Sequence, residues 1–126
     1  MIKTVQIKPD NRELSIEVLI GHRHHGDYKL VLRASDAKTI LWERSGTSND
    51  FLADNHLISI NTANLDQTFL SCACAVYRAN HRQGQIYEVA YILRLAGQLV
   101  PEGLITEKGA LDHDRVVACQ FNLTHK

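Results

Sequence analysis

The amino-acid sequence predicts an all-β protein, an antiparallel β-sandwich of about eight strands in a single domain spanning residues 1–126. Three observations carry that prediction. Apolar side chains recur every two residues and not every 3.6, as in strands that put one face into a core. Stretches rich in Gly, Asp, Asn and Ser separate the apolar runs at intervals of roughly ten to fifteen residues. No segment carries an apolar stripe along three helical turns. Strands joined by polar turns, without crossover helices, pack as sheets face to face in an immunoglobulin-like or jelly-roll arrangement. A small closed barrel is the alternative.

The elements follow in order. A weak first strand spans Lys3 to Lys8 and stops at the turn signal Pro9-Asp10-Asn11. Leu14, Ile16, Val18 and Ile20 line one face of a second strand, and Tyr28, Leu30, Leu32 and Ala34 do so in a third. After the turn Ser35-Asp36-Ala37-Lys38, a fourth strand runs from Thr39 to Gly46, and a short fifth from His56 to Asn61. Thr62 to Asp66 suits a single helical turn. Thr68 to Ala79 is apolar or small on both faces, as in a central strand covered on both sides. A polar hairpin loop around Gly84 leads to Ile86–Gly97, with Tyr87, Val89, Tyr91, Leu93 and Leu95 on one face. The last strand, Arg115 to Thr124, aligns Val117, Cys119, Phe121 and Leu123.

Two connections look long. One spans Ser45 to Asn55 around Phe51 and Leu52. The other spans Gln98 to Asp114 and contains Leu99, Val100, Leu104, Ile105 and Leu111, with at most two helical turns before Gly109. Loops beyond about 12 to 15 residues in a compact domain are often functional, which makes Phe51, Leu52, Leu104 and Ile105 candidate binding residues.

Composition narrows the function. Lys plus Arg is 14 and Asp plus Glu is 14, so the formal net charge is zero. Nucleic-acid binding draws its affinity from neutralised phosphates, and a neutral chain without a basic cluster argues against it. Charge neutrality also removes the self-repulsion that keeps proteins apart. No apolar run reaches the roughly 18 residues that cross a bilayer. The opening stretch lacks the apolar segment of a signal peptide, and three cysteines in no framework spacing read as reduced thiols. Together these predict a cytoplasmic protein with no membrane partner.

Three histidines crowd into Ile20–Lys29, "IGHRHHGDYK". If the second strand ran on past Gly21, His22 and His24 would project from one face, a metal-ligand geometry. His56, His81, His113, Asp112 and Asp114 are the residue types that could complete such a site. The competing reading is a solvated hairpin tip between Gly21 and Gly26. His22-Arg23-His24 and Pro101-Glu102-Gly103 resemble the His-x-His and Pro-x-Gly fragments of the cupins, a resemblance that implies a divalent metal and a small metal-dependent enzyme. Tyr28 and Lys29 stand where the cupin glutamate follows its histidines, and Thr106 stands where the second motif carries a histidine.

Other groups have both a chemical and a structural reading. Asp112, His113 and Asp114 could bind a divalent cation or move a proton, with the two carboxylates on one side; a turn capping its own amides has the same composition. Cys72 and Cys74 share a strand face in apolar company, where free cysteine packs as a small hydrophobe. Tyr87 and Tyr91 would form a stacking platform for a sugar or protein if their face were open, and core residues if it were closed. No phosphate loop, nucleophile elbow or H-E-x-x-H motif occurs. The sequence therefore favours a non-catalytic binding or assembly module. It would take a protein partner or a carbohydrate through long loops or an apolar sheet face, without a cofactor. The metal site centred on His22 and His24 is the alternative. Central strands apolar on both faces in so small a domain predict that a second subunit supplies part of the cover, hence a homo-oligomer.

Overall fold

The computed structural model describes residues 1–22, 24–48, 53–77 and 85–126. Among them lie nine strands and one short 3-10 turn, Thr62–Asn64. In chain order the strands are β1 (Ile2–Ile7), β2 (Leu14–Ile20), β3 (His25–Arg33), β4 (Ile40–Ser48), β5 (Asp54–Ile58), β6 (Thr68–Tyr77), β7 (Ile86–Leu95), β8 (Gln98–Ala110) and β9 (Arg115–His125). They form a five-stranded sheet, β1-β9-β6-β3-β4, packed on a four-stranded sheet, β5-β2-β7-β8. Every ladder is antiparallel except β1 on β9. The fold is a β-sandwich and not a closed barrel, because among the described residues no ladder joins β1 to β8 or β4 to β5.

The dyad periodicity builds one core between the sheets. Leu14, Ile16, Val18 and Ile20 of β2 are all buried, as are Val89, Tyr91, Leu93 and Leu95 of β7. From the other sheet they meet Leu30 and Leu32 of β3, Leu70, Cys72, Cys74 and Val76 of β6, and Val117, Cys119, Phe121 and Leu123 of β9. Two tyrosines tie the layers together across this core. Tyr91 of β7 donates its hydroxyl to the Val117 carbonyl of β9 at 3.0 Å. Tyr28 of β3 donates to Asp54 Oδ2 of β5 at 2.8 Å, and its oxygen accepts from His56 Nε2 at 2.6 Å. Gly46 lies opposite Tyr28 on β4, where a Cβ would come within 2.5 Å of that hydroxyl.

One expectation is corrected. Gln98–Asp114 is not a long loop: Gln98–Ala110 is the thirteen-residue strand β8, joined to β7 by the two-residue turn Ala96-Gly97. Both turn residues have positive φ, 50° and 80°, as a hairpin turn matched to the right-handed strand twist requires. The alternation is hidden by a bulge. Ile92 faces Leu104, but Arg94 faces Leu99, so Pro101, Glu102 and Gly103 are extra on the β8 side. Before the bulge Val100 points inward; after it Gly103 and Ile105 do, so the period of two is reset in mid-strand. Gly103 is required there, since a Cβ would lie 2.7 Å from the Val100 carbonyl oxygen. Proline is tolerated because β8 is an edge strand, where an N–H need not enter a ladder. The connection around residues 45–55 is also shorter than it looks, because β4 continues to Ser48 and β5 begins at Asp54. No helix among the described residues is long and apolar enough to cross a membrane.

Candidate functional site

The sequence-derived candidates do not converge. Phe51 and Leu52 lie outside the described residues. Tyr91 is fully buried and Tyr87 nearly so, so of the two readings of this pair the closed, core one describes them. Burial, and the thiols of Cys74, Cys119 and Cys72 nearby, raise the Tyr91 hydroxyl far above the ordinary phenol range. Of the β8 pair, Ile105 is buried in the core while Leu104 is exposed, as alternation demands of neighbours in a strand.

The histidine pair is split by the turn that carries it. β2 ends at Ile20, and His22 has φ 60°, so the two imidazoles no longer sit on a common strand face. His22 is exposed, with Nε2 3.4 Å from Glu88 of β7. His24 is buried and donates from Nε2 to the Ile86 carbonyl at 2.8 Å, and its buried Nδ1 has no partner among the described residues. In the other trio, Asp112 contacts both His113 Nδ1 at 2.8 Å and Arg115 at 3.0 Å, so acid and base sit side by side and not on opposite faces. The hydrogen bond from the Arg115 guanidinium, the largest influence, lowers the Asp112 carboxyl below its usual range against the opposing effect of desolvation. Asp114 is exposed in the same turn. Among the described residues, no group of three His, Cys, Asp or Glu side chains could hold a metal ion.

The feature that stands out is the outer face of the five-stranded sheet. β6 runs through its middle, and its outward positions are Phe69, Ser71, Ala73, Ala75 and Tyr77. Register places Ala73 beside Ala118 and Lys29, Ser71 beside Gln120 and Val31, and Ala75 beside Val116 and Asp27. The small side chains leave a shallow depression of about 510 Å³, floored by Ser71, Ala73 and Ala118 and edged by Met1, Ile2 and Arg33. Around it stand apolar groups in water: Val116 is 74% exposed, Met1 67% and Ile2 65%. Solvated sheet faces normally carry long polar side chains, and alanine is a poor strand former, so an alanine floor on a central strand lacks a local rationale. The opposite outer face, on the four-stranded sheet, also exposes Leu57, Ile86, Leu99 and Leu104, but an ion pair of Arg94 of β7 and Glu17 of β2 at 2.9 Å crosses it.

The charges around the depression are balanced. Lys29 and Arg33 of β3 share the face with Asp27 and with Glu43 of β4, which lies opposite Val31. Asp27 accepts from the hydroxyls of Thr47 and Tyr77 at 2.7 and 2.8 Å, and both bonds hold its carboxyl below the usual range. The cluster of Tyr28, Asp54 and His56 is the other polar site, half-buried at the edge where β4 and β5 approach. Burial first, then Asp54, raises the Tyr28 hydroxyl well above the ordinary phenol range, so it serves as a neutral donor and not as a base. No family model, curated protein or solved structure matches this chain.

Proposed function

We propose that this chain is a non-catalytic assembly module whose working surface is the outer face of the five-stranded sheet, and that a second copy of the chain occupies it. The observation that carries the reading is the row of small residues along β6, ringed by exposed Val116, Met1 and Ile2. An isologous contact brings each copy's apolar knobs over the other's small-residue floor, because both lie on one face. The balanced set of Lys29, Arg33, Asp27 and Glu43 lets the same face meet itself without net repulsion. The area is adequate. The ten residues of β6, nine steps of about 3.3 Å, across five strands about 4.8 Å apart, four gaps, give a flat footprint of roughly 570 Å². Side-chain relief brings the accessible area toward the ~800 Å² per partner of standard interfaces. Three free cysteines suit a reducing, cytoplasmic setting.

The test is the mass in solution, by light scattering coupled to size exclusion, of the full chain and of Ala73→Glu. Ala73 is exposed, so the substitution leaves the core intact. The expected result is a dimer that the glutamate converts to a monomer with unchanged circular dichroism. A monomeric parent at ~100 μM, or a dimer untouched by Ala73→Glu, overturns the proposal.

A further inference from the structure

The antiparallel register of β6 and β9 sets Cys72 directly opposite Cys119. Directly opposed residues in such a pair have Cα atoms about 4.5 or 5.5 Å apart. Both spacings lie within the roughly 4.4–6.8 Å that a disulfide spans. The two side chains point the same way, into the core, with Cys72 1% and Cys119 8% exposed. Cys74 shares their face but stands opposite Val117, one inward position away. Contact with the Cys119 thiol, and burial after it, keep Cys72 protonated well above its ordinary range, while burial pushes Cys74 up to about 12.

We propose that Cys72 and Cys119 are a redox modification site, closing a cross-strand disulfide when the protein meets a hydroperoxide. Cys119 is the more open of the two and reacts first. Its thiolate attacks a peroxide oxygen, the O–O bond breaks, and water leaves behind a sulfenic acid. The Cys72 sulfur then attacks the Cys119 sulfur, the S–O bond breaks, and the hydroxyl departs as a second water with the Cys72 proton. Two thiols and one hydrogen peroxide become one disulfide and two waters. The bond fastens β6 to β9 beneath the neighbouring Ala73–Ala118 rung, which lies on the opposite face of the sheet. The site does not depend on the assembly proposed above.

The experiment treats the reduced full chain with hydrogen peroxide, then alkylates under denaturing conditions and maps the peptides with fragmentation. The expected product has lost two hydrogens, carries its one alkyl group on Cys74, and links Cys72 to Cys119 within one chain; a reductant restores it. Its thermal midpoint rises by on the order of 10 °C, because the cross-link restricts the unfolded chain. Cys74→Ala retains the link and Cys119→Ala abolishes it. Since either alanine could loosen the core, the fragmentation map of the parent chain decides. Linkage through Cys74, linkage between chains, three alkylated cysteines, or sulfinic and sulfonic acids without a disulfide each overturn the proposal.

Discussion

Replacing Tyr91 with phenylalanine removes one oxygen from the middle of the protein. That hydroxyl reaches from β7 to the Val117 carbonyl of β9 at 3.0 Å, inside a fully buried side chain. The carbonyl has a ladder partner as well: Gln120 turns its backbone groups to β1, so alternation turns those of Val117 to β6, where it stands opposite Cys74. The variant keeps the ring and its packing, and the carbonyl keeps its place in the ladder, so the cost is the lost hydrogen bond. A net bond of this kind contributes about 1 kcal/mol. A loss of ~1 kcal/mol corresponds to a fall of roughly 3–5 °C in thermal midpoint for a domain of this size. Urea unfolding followed through Trp42, the single tryptophan and itself buried, measures it without a label. A loss below about 0.5 kcal/mol with an unchanged denaturant slope would show that the cross-sheet bond adds nothing to the packing.

Alkali is expected to destabilise the fold before acid chemistry matters. Cys72, Cys74, Tyr28 and Tyr91 all have raised folded values, so their contribution is complete below the unfolded values and is lost as pH rises. The decline starts near the ordinary thiol value of 9.0 and, for Cys74, continues to about 12, at no more than about 1.4 kcal/mol per pH unit per group. Chemical denaturation at a series of pH values checks this, and a flat profile from about pH 9 to 11 contradicts it. His24→Ala should cost about 1–3 kcal/mol through its buried ring and the Ile86 carbonyl, while exposed His22→Ala stays within about 0.5 kcal/mol. Denaturation curves separate the two, and elemental analysis showing stoichiometric metal lost equally from both variants would restore the metal site.

Strict alternation made much of this fold legible. Leu14 to Ile20 and Val117 to Leu123 keep one phase throughout, and the structure buries those residues as a set. β8 was not legible, because Pro101 and Gly103 carry the composition of a loop and the bulge moves the inward set out of phase. Strand order was hidden too, since β1 joins its sheet through the one parallel ladder, with the far end of the chain. The floor of the candidate face was visible as small residues on both sides of the sequence Thr68–Ala79, although the sequence suggested a cover on both faces and one chain provides only one. The contact of Tyr28 with Asp54 and His56 left no trace, because it joins strands of different sheets 26 and 28 residues apart. His22 and His24 misled for a local reason: a positive φ at His22 ends the alternation that would have aligned them.

The kink at Pro101–Gly103 also bears on how copies of this molecule can meet. β8 is the longest strand and borders its sheet, so a straight run of its thirteen residues would offer a template for endless recruitment of neighbouring chains. A ring that lacks an N–H, a left-handed Glu102 and the Lys3 ammonium clasped to the Leu104 carbonyl at 2.8 Å interrupt that template near its midpoint. Growth into fibrils along this edge is thereby discouraged.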